Sequence, residues 1–257
     1  MKGKRRFDRG FYLLPTMFTV GNLLCGFYSI VSAFHGEIAR AALLIIIAGV
    51  LDLFDGRIAR LTGTTSEFGS EFDSLADIVS FGISPAMLSY AWVLQPYRRF
   101  GLFVAFVFVV CAAMRLARFN IQANASEKRH FVGLSSPVAA ASLASVIYTA
   151  PDAMARGSVG SLLEVALVAT LGLLMISRFR YRSFKDFALT SRRPYVYVLP
   201  LAIVLVAIGM WPRFALPGLA SIYILSAPGL SLLQLLGLTE RRTKRQKEVV
   251  DEPIQRG

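Results

Sequence analysis

The sequence predicts an all-α, polytopic membrane helix bundle of about eight transmembrane helices with both termini in the cytoplasm, and three observations carry that prediction. Of the 257 residues 55% are hydrophobic and only 17% charged, with a mean hydropathy of +0.56. That is more apolar sequence than a soluble domain of this size can bury. The apolar residues also come in runs near the ~20 residues an α-helix needs to cross about 30 Å of hydrocarbon, without the period-two alternation of a membrane β-barrel. Finally, the basic residues lie on one side of those runs. Of the 28 Lys and Arg, 23 fall in segments 1–11, 57–69, 115–132, 178–193 and 240–257, leaving Arg40, Arg98, Arg99, Arg156 and Arg213 for the other side. This asymmetry follows the positive-inside rule and supports an even number of spans.

The expected spans are about 12–34, 38–61, 70–94, 100–122, 135–150, 158–179, 194–212 and 216–238. The first follows the basic stretch Lys2 to Arg9 but is too long for a signal peptide and is followed by no small-residue cleavage site, so it is read as a retained helix. The second and third are joined by a short connection and so are antiparallel neighbours. The fourth ends in Arg115, Arg118 and Asn120, the fifth opens at Ser135 and Ser136, and the sixth ends at Arg178. This divides the chain into a basic cytoplasmic segment (1–11), a membrane domain (12–238) and a basic cytoplasmic tail (239–257).

A net charge of +12 raises the question of nucleic acid, but basic residues beside anionic headgroups explain it. The tail from Arg241 to Lys247 reads as an anionic-lipid anchor, and no nucleic-acid partner is expected. Cys25 and Cys111 fall inside spans without metal-ligand spacing and read as buried thiols, while His35 and His130 fall near span ends.

The chemistry concentrates at the junction of the second and third spans, which carries Asp52, Asp55, Asp73 and Asp77. Ionisable residues within spans are expensive and call for a functional explanation. Asp52, Asp55, Gly56 and Ala59 share one helical face, as do Gly69, Asp73 and Asp77 on the next helix. Facing one another, four carboxylates form an oxygen-ligand cage suited to Mg²⁺ or Mn²⁺. Gly56 and Ala59 leave room for a ligand against the backbone, and Arg60 can meet a phosphate bidentately. Residue types alone leave two readings open: phosphoryl-group chemistry, or a proton or cation path in a transporter.

The stretch from Asp52 to Asp77 resembles the D-x-x-D-G-x-x-A-R-x(8)-G-x-x-x-D-x-x-x-D signature of the CDP-alcohol phosphatidyltransferase family at every fixed position. That resemblance implies an integral membrane enzyme in which Asp52, Asp55, Asp73 and Asp77 bind divalent cations, two of them, with Asp77 also the base for the acceptor hydroxyl. It further implies that Gly56, Ala59, Arg60 and Ser66 contact the CDP-lipid. Thr16, Thr19 and Asn22, on one face of the first span, are further candidates for hydrogen bonds to the nucleotide, with helix packing as the other explanation.

Segments outside the signature resemble the phosphatidylserine synthase branch of that family: Leu14 to Phe27, Arg115 to Asn120, Phe131 to Pro137 and Met175 to Lys185. The implied substrates are CDP-diacylglycerol and L-serine, in a bacterial inner membrane with the active site facing the cytoplasm, and the family leads one to expect a homodimer. Arg115, Arg118, Asn120, Ser136 and Arg178 are the candidate acceptor-binding residues, because a zwitterionic acceptor needs a cation for its carboxylate. Glycerol 3-phosphate and inositol phosphate remain alternative acceptors.

Overall fold

The computed structural model describes residues 10–62, 66–124, 133–152, 158–177, 206, 210–211 and 214–224. Among the described residues the chain is all-helical. It opens with α1 (Gly10–Phe34) and α2 (Ile38–Thr62), followed by α3 (Glu67–Asp77), which continues through a π segment (Ile78–Ile83), α4 (Ser84–Ser89) and a second π segment (Tyr90–Leu94). A 3₁₀ turn (Gln95–Tyr97) leads into α5 (Arg98–Asn124), α6 (Ser136–Thr149) and α7 (Ser158–Ile176). A last apolar helix, α8, spans Phe214–Ile224. The first six expected spans are therefore helical, and α8 overlaps the start of the eighth. The seventh, the 1–9 segment and the basic tail lie outside the described residues, apart from residues 206 and 210–211.

Each of α1 and α2 has 25 residues, or about 37 Å at the ordinary helical rise. They form an antiparallel hairpin because α1 stops in a Schellman motif. Gly36 adopts φ +76, its N–H reaches Ala33 O at 3.1 Å, and Glu37 N–H reaches Ser32 O at 2.9 Å. The two helices approach closely through small residues: Ala41, Ala42 and Ala48 are buried with Ile45, and Ser29 Oγ donates to Ala41 O at 2.8 Å. Ser66 caps α3 by accepting from Gly69 N–H at 3.0 Å.

After Leu94 the chain reverses at Arg98, whose φ is +48, and α5 runs back along both π segments. Gly101 is required there, since a Cβ at that position would strike Leu94 O. Trp92 Nε1 ties the second π segment to Ala150 O, just past α6, at 2.8 Å. At the opposite end of α6, Leu134 N–H donates to Leu174 O at 3.0 Å, fastening the entry of α6 to α7.

Two stretches, Thr16–Phe34 and Glu67–Ile121, are long and apolar enough to cross a membrane by length and composition, and the second contains the reversal at Arg98. Large apolar side chains also face outward, among them Met17, Val20, Leu24 and Phe27 on α1 and Leu102, Phe103 and Phe106 on α5. A soluble protein does not leave so large an apolar surface uncovered, whereas a lipid-facing helix needs one.

Gly133 has φ +92, and a Cβ there would strike Met175 O. Gly133→Ala is therefore expected to destabilise by about 1–3 kcal/mol, from backbone strain together with the clash. Gly36→Ala, where a Cβ meets nothing within 4 Å, should cost only the strain, about 1 kcal/mol. Thermal unfolding midpoints in detergent micelles check the order of the two.

Candidate active site

The hairpin of α2 and α3 brings its acids together. Asp52 and Asp55 are three apart on α2, and Asp73 and Asp77 four apart on α3, so each pair occupies one face. One carboxylate oxygen from each of Asp52, Asp55 and Asp73 lies within 4.8 Å of the others. Asp77 stands beside Asp52, close enough to sense the charge of the other three. Asp55 is only 4% exposed, and the others are half-buried.

Helix α1 supplies hydrogen bonds to both pairs. Thr19 Oγ1 donates to Asp55 Oδ2 at 3.2 Å, and Asn22 Nδ2 donates to Asp77 Oδ1 at 3.3 Å. Among the described residues no Lys or Arg forms an ion pair with these acids; the pair found is Arg40 with Glu37, on the surface. Asp73 Oδ1 and Asn22 Oδ1 are buried acceptors with no hydrogen-bond partner among the described residues. A donor set made only of carboxylate oxygens, with acceptors left unsatisfied, fits a hard divalent cation and not a thiolate- or imidazole-seeking one.

A second group lies against the acids from α5 and α6. Arg115, on α5, senses the charges of Asp77 and Asp52; its Nη1 donates to Ser136 Oγ at 2.9 Å, and its guanidinium lies 5.7 Å from the centroid of the Phe119 ring. Asn120 Nδ2 donates to Ser74 Oγ at 2.9 Å, and Ser74 Oγ donates to Ser70 O at 3.0 Å, so Asn120 braces the helix that carries Asp73 and Asp77. Arg118 is half-buried on the same helix, and no described contact brings it to the acids.

Several expected contacts are placed differently or lie outside view. Gly56 is exposed on α2, one residue past Asp55. Ala59 and Arg60 belong to α2, but their side chains lie outside the described residues, as does Arg178 entirely. Ser66 is exposed at the N-terminus of α3, its hydroxyl engaged as a cap. Thr16 is half-buried on α1, one turn before Thr19. Thr19 and Asn22, the candidates for hydrogen bonds to the nucleotide, hydrogen-bond the carboxylates.

The sequence reading did not single out Ser74, Ser80 or Tyr223. Ser80 Oγ donates to the backbone carbonyl of Asn22 at 3.0 Å, and Tyr223 of α8 senses the Arg115 charge while packing against the core. Polar residues within apolar segments were the available signal, since such groups seek partners there.

The family model for CDP-alcohol phosphatidyltransferases matches residues 12–176, and the chain belongs to that family. It is 40% identical over 176 residues to the CDP-diacylglycerol–serine O-phosphatidyltransferase of Helicobacter pylori strain 26695, covering 68% of this chain and 73% of that one. The enzyme of the same name from Bacillus subtilis is 35% identical over 176 residues, covering 68% of this chain and 93% of its own. The archaetidylserine synthase of Methanothermobacter thermautotrophicus is 32% identical over 173 residues, 66% of this chain and 70% of its own. The match ends before α8, so Tyr223 lies beyond the family region.

Loss of even an outer partner of a metal ligand lowers affinity about 10- to 100-fold. Asp73→Asn is accordingly expected to weaken Mn²⁺ binding by at least about 10-fold in an EPR titration of the purified protein. Unchanged affinity would remove Asp73 from the ligand set.

Proposed function

We infer that this protein transfers the phosphatidyl group of CDP-diacylglycerol to the hydroxyl of L-serine, giving phosphatidylserine and CMP. The observation that carries the reading is the convergence of Asp52, Asp55, Asp73 and Asp77 on the fixed positions of the family signature, with the Arg115 guanidinium facing them from α5. The names of the relatives supply serine as acceptor.

In this reading Asp52, Asp55, Asp73 and Asp77 hold two divalent cations, Mg²⁺ or Mn²⁺. When bound, these supply positive charge to neutralise the pyrophosphate of the donor and the oxygens of the in-line transition state. Gly56 and Ala59 leave space on α2 for the CDP group, and Arg60, Ser66 and Thr16 lie on the flanking segments from which it is contacted. Asp77 accepts the proton of the serine hydroxyl as that oxygen attacks the lipid-side phosphorus. The new P–O bond forms to serine, the bond to the CMP phosphate breaks, and CMP leaves with the electron pair. No covalent enzyme intermediate is required.

Serine brings a carboxylate and an ammonium as well as its hydroxyl. Among the described residues Arg115 is a cation that interacts with Asp77 and Asp52, and a guanidinium matches a carboxylate in a bidentate fork. Ser136 orients Arg115, and Asn120, Arg118 and Arg178 complete the proposed acceptor side. A phosphorylated acceptor such as glycerol 3-phosphate or inositol phosphate would call for a denser basic pocket.

The reading extends to topology. Eight spans over 12–238, with segments 1–11 and 239–257 in the cytoplasm, put 23 of the 28 basic residues on the side of the acids. This corresponds to a bacterial inner-membrane enzyme whose active site faces the cytoplasm. A homodimer is part of the proposal; nucleic acid is not.

Purified protein given CDP-diacylglycerol and Mn²⁺ or Mg²⁺ should release CMP with L-serine and not with glycerol 3-phosphate, inositol phosphate or no acceptor. Asp77→Asn should lower that rate about 10²- to 10⁴-fold. Release with another acceptor would keep the family and overturn serine, and no release from folded protein would favour a transporter. Arg115→Ala should raise the KM for serine about 10- to 100-fold, the worth of a hydrogen-bonded charge pair, and leave the KM for CDP-diacylglycerol nearly unchanged. Equal rises in both would remove Arg115 from the acceptor side.

A further inference from the structure

The polar face of α1 meets the acids at two points, and the second is built more firmly than one hydrogen bond implies. Asn22 Nδ2 lies 3.3 Å from Asp77 Oδ1, the long end of the hydrogen-bonding range. A carboxylate only accepts, so the amide nitrogen is the end that faces it. Asn22 is 0% exposed, and its backbone carbonyl is itself held by the hydroxyl of Ser80 at 3.0 Å. Ser80 is fully buried in the π segment, three residues beyond Asp77.

Gly26, one turn past Asn22 on α1, lies against the backbone of Ser80. A Cβ at Gly26 would come within 2.8 Å of Ser80 Cα, so any larger residue would push the two helices apart. Asn22 thus grips the helix of Asp77 through both its side chain and its main chain, at a contact that a glycine keeps close. Thr19, three residues earlier, does the same for Asp55 through its hydroxyl.

We propose that Asn22 is a positioning residue for Asp77, fixing the rotamer of that carboxylate so that its second oxygen is presented to the acceptor hydroxyl. This rests on the reading of Asp77 as proton acceptor, and it differs from the nucleotide contact that the sequence suggested. A base misplaced by about 1 Å loses on the order of 10²-fold in rate, so a group that fixes its orientation acts on turnover and not on substrate affinity.

The test compares Asn22→Ala with Asn22→Leu, which nearly keeps the shape and removes the donor without adding charge, in the purified protein in detergent. In both variants kcat for serine-dependent CMP release should fall about 10- to 100-fold. With Mn²⁺ saturating for each variant, the KM values for CDP-diacylglycerol and serine should stay within about two-fold of wild type, and Mn²⁺ affinity by EPR titration should fall no further than the roughly 10- to 100-fold expected when a metal ligand loses an outer partner. A raised KM for CDP-diacylglycerol with kcat intact would make Asn22 a nucleotide contact and overturn the proposal. Recovery of full kcat at saturating Mn²⁺ would make Asn22 a partner in cation binding alone and also overturn it, as would full activity in Asn22→Leu. If Asn22→Ala does not fold, Asn22→Leu and Asn22→Ser carry the same comparison. Absence of serine-dependent release in the wild type would overturn both readings, whereas an active wild type beside unimpaired variants overturns this one alone.

Discussion

Four carboxylates presented by two neighbouring helices repel one another where they meet, and the surrounding helices keep them there. Like charges at this separation interact more strongly as water is excluded, and Asp55 is almost fully buried. The hairpin of α2 and α3 alone places the acids together but leaves nothing to brace them. That role falls to α1, whose Thr19 and Asn22 each donate to one acid of each pair. Two acceptor oxygens have no hydrogen-bond partner among the described residues, which fits a cluster able to hold a cation.

Helix α1 can reach both acids because its neighbours let it approach. Gly26 allows its backbone to lie on Ser80, and the alanines of α2 allow the hairpin to close. In a lipid environment apolar contact with the solvent is as favourable as contact with a neighbouring helix, so association depends on close packing and on hydrogen bonds between helices. Two buried serines serve that purpose: Ser29 bonds to α2 and Ser80 to α1. The same contacts that hold the bundle together therefore set the geometry of the acids.

The other wall of the site comes from a more distant part of the chain. The reversal at Arg98 sends α5 back toward the acids and delivers Arg115 and Asn120 to them. Gly133 lets the entry of α6 lie against the end of α7, which places Ser136 under Arg115. Tyr223 approaches the same guanidinium from α8, beyond the segment shared with the family. Acids on one side and the oriented Arg115 guanidinium on the other make a site with a direction, suited to an acceptor bearing its own negative charge.

The sequence by itself determined the helical class, the extents of the first six helices within a few residues, and the four aspartates. Those features depend on local hydropathy and on i, i+3 and i+4 spacing, which a single stretch of chain contains. Tertiary structure decided what the polar side chains touch. Thr19 and Asn22 share a helical face, and spacing could not say whether that face met a nucleotide or a carboxylate, because the answer depends on how α1 packs on α2 and α3. Ser66 caps α3, and Ser80 and Ser74, which spacing did not single out, tie neighbouring helices together around the acids. The π segments after Asp77 and after Ser89 were equally hidden, since a shift from i+4 to i+5 bonding leaves no mark on composition. Local pattern fixes which face of a helix is polar, and only packing between helices far apart in sequence fixes what that face meets.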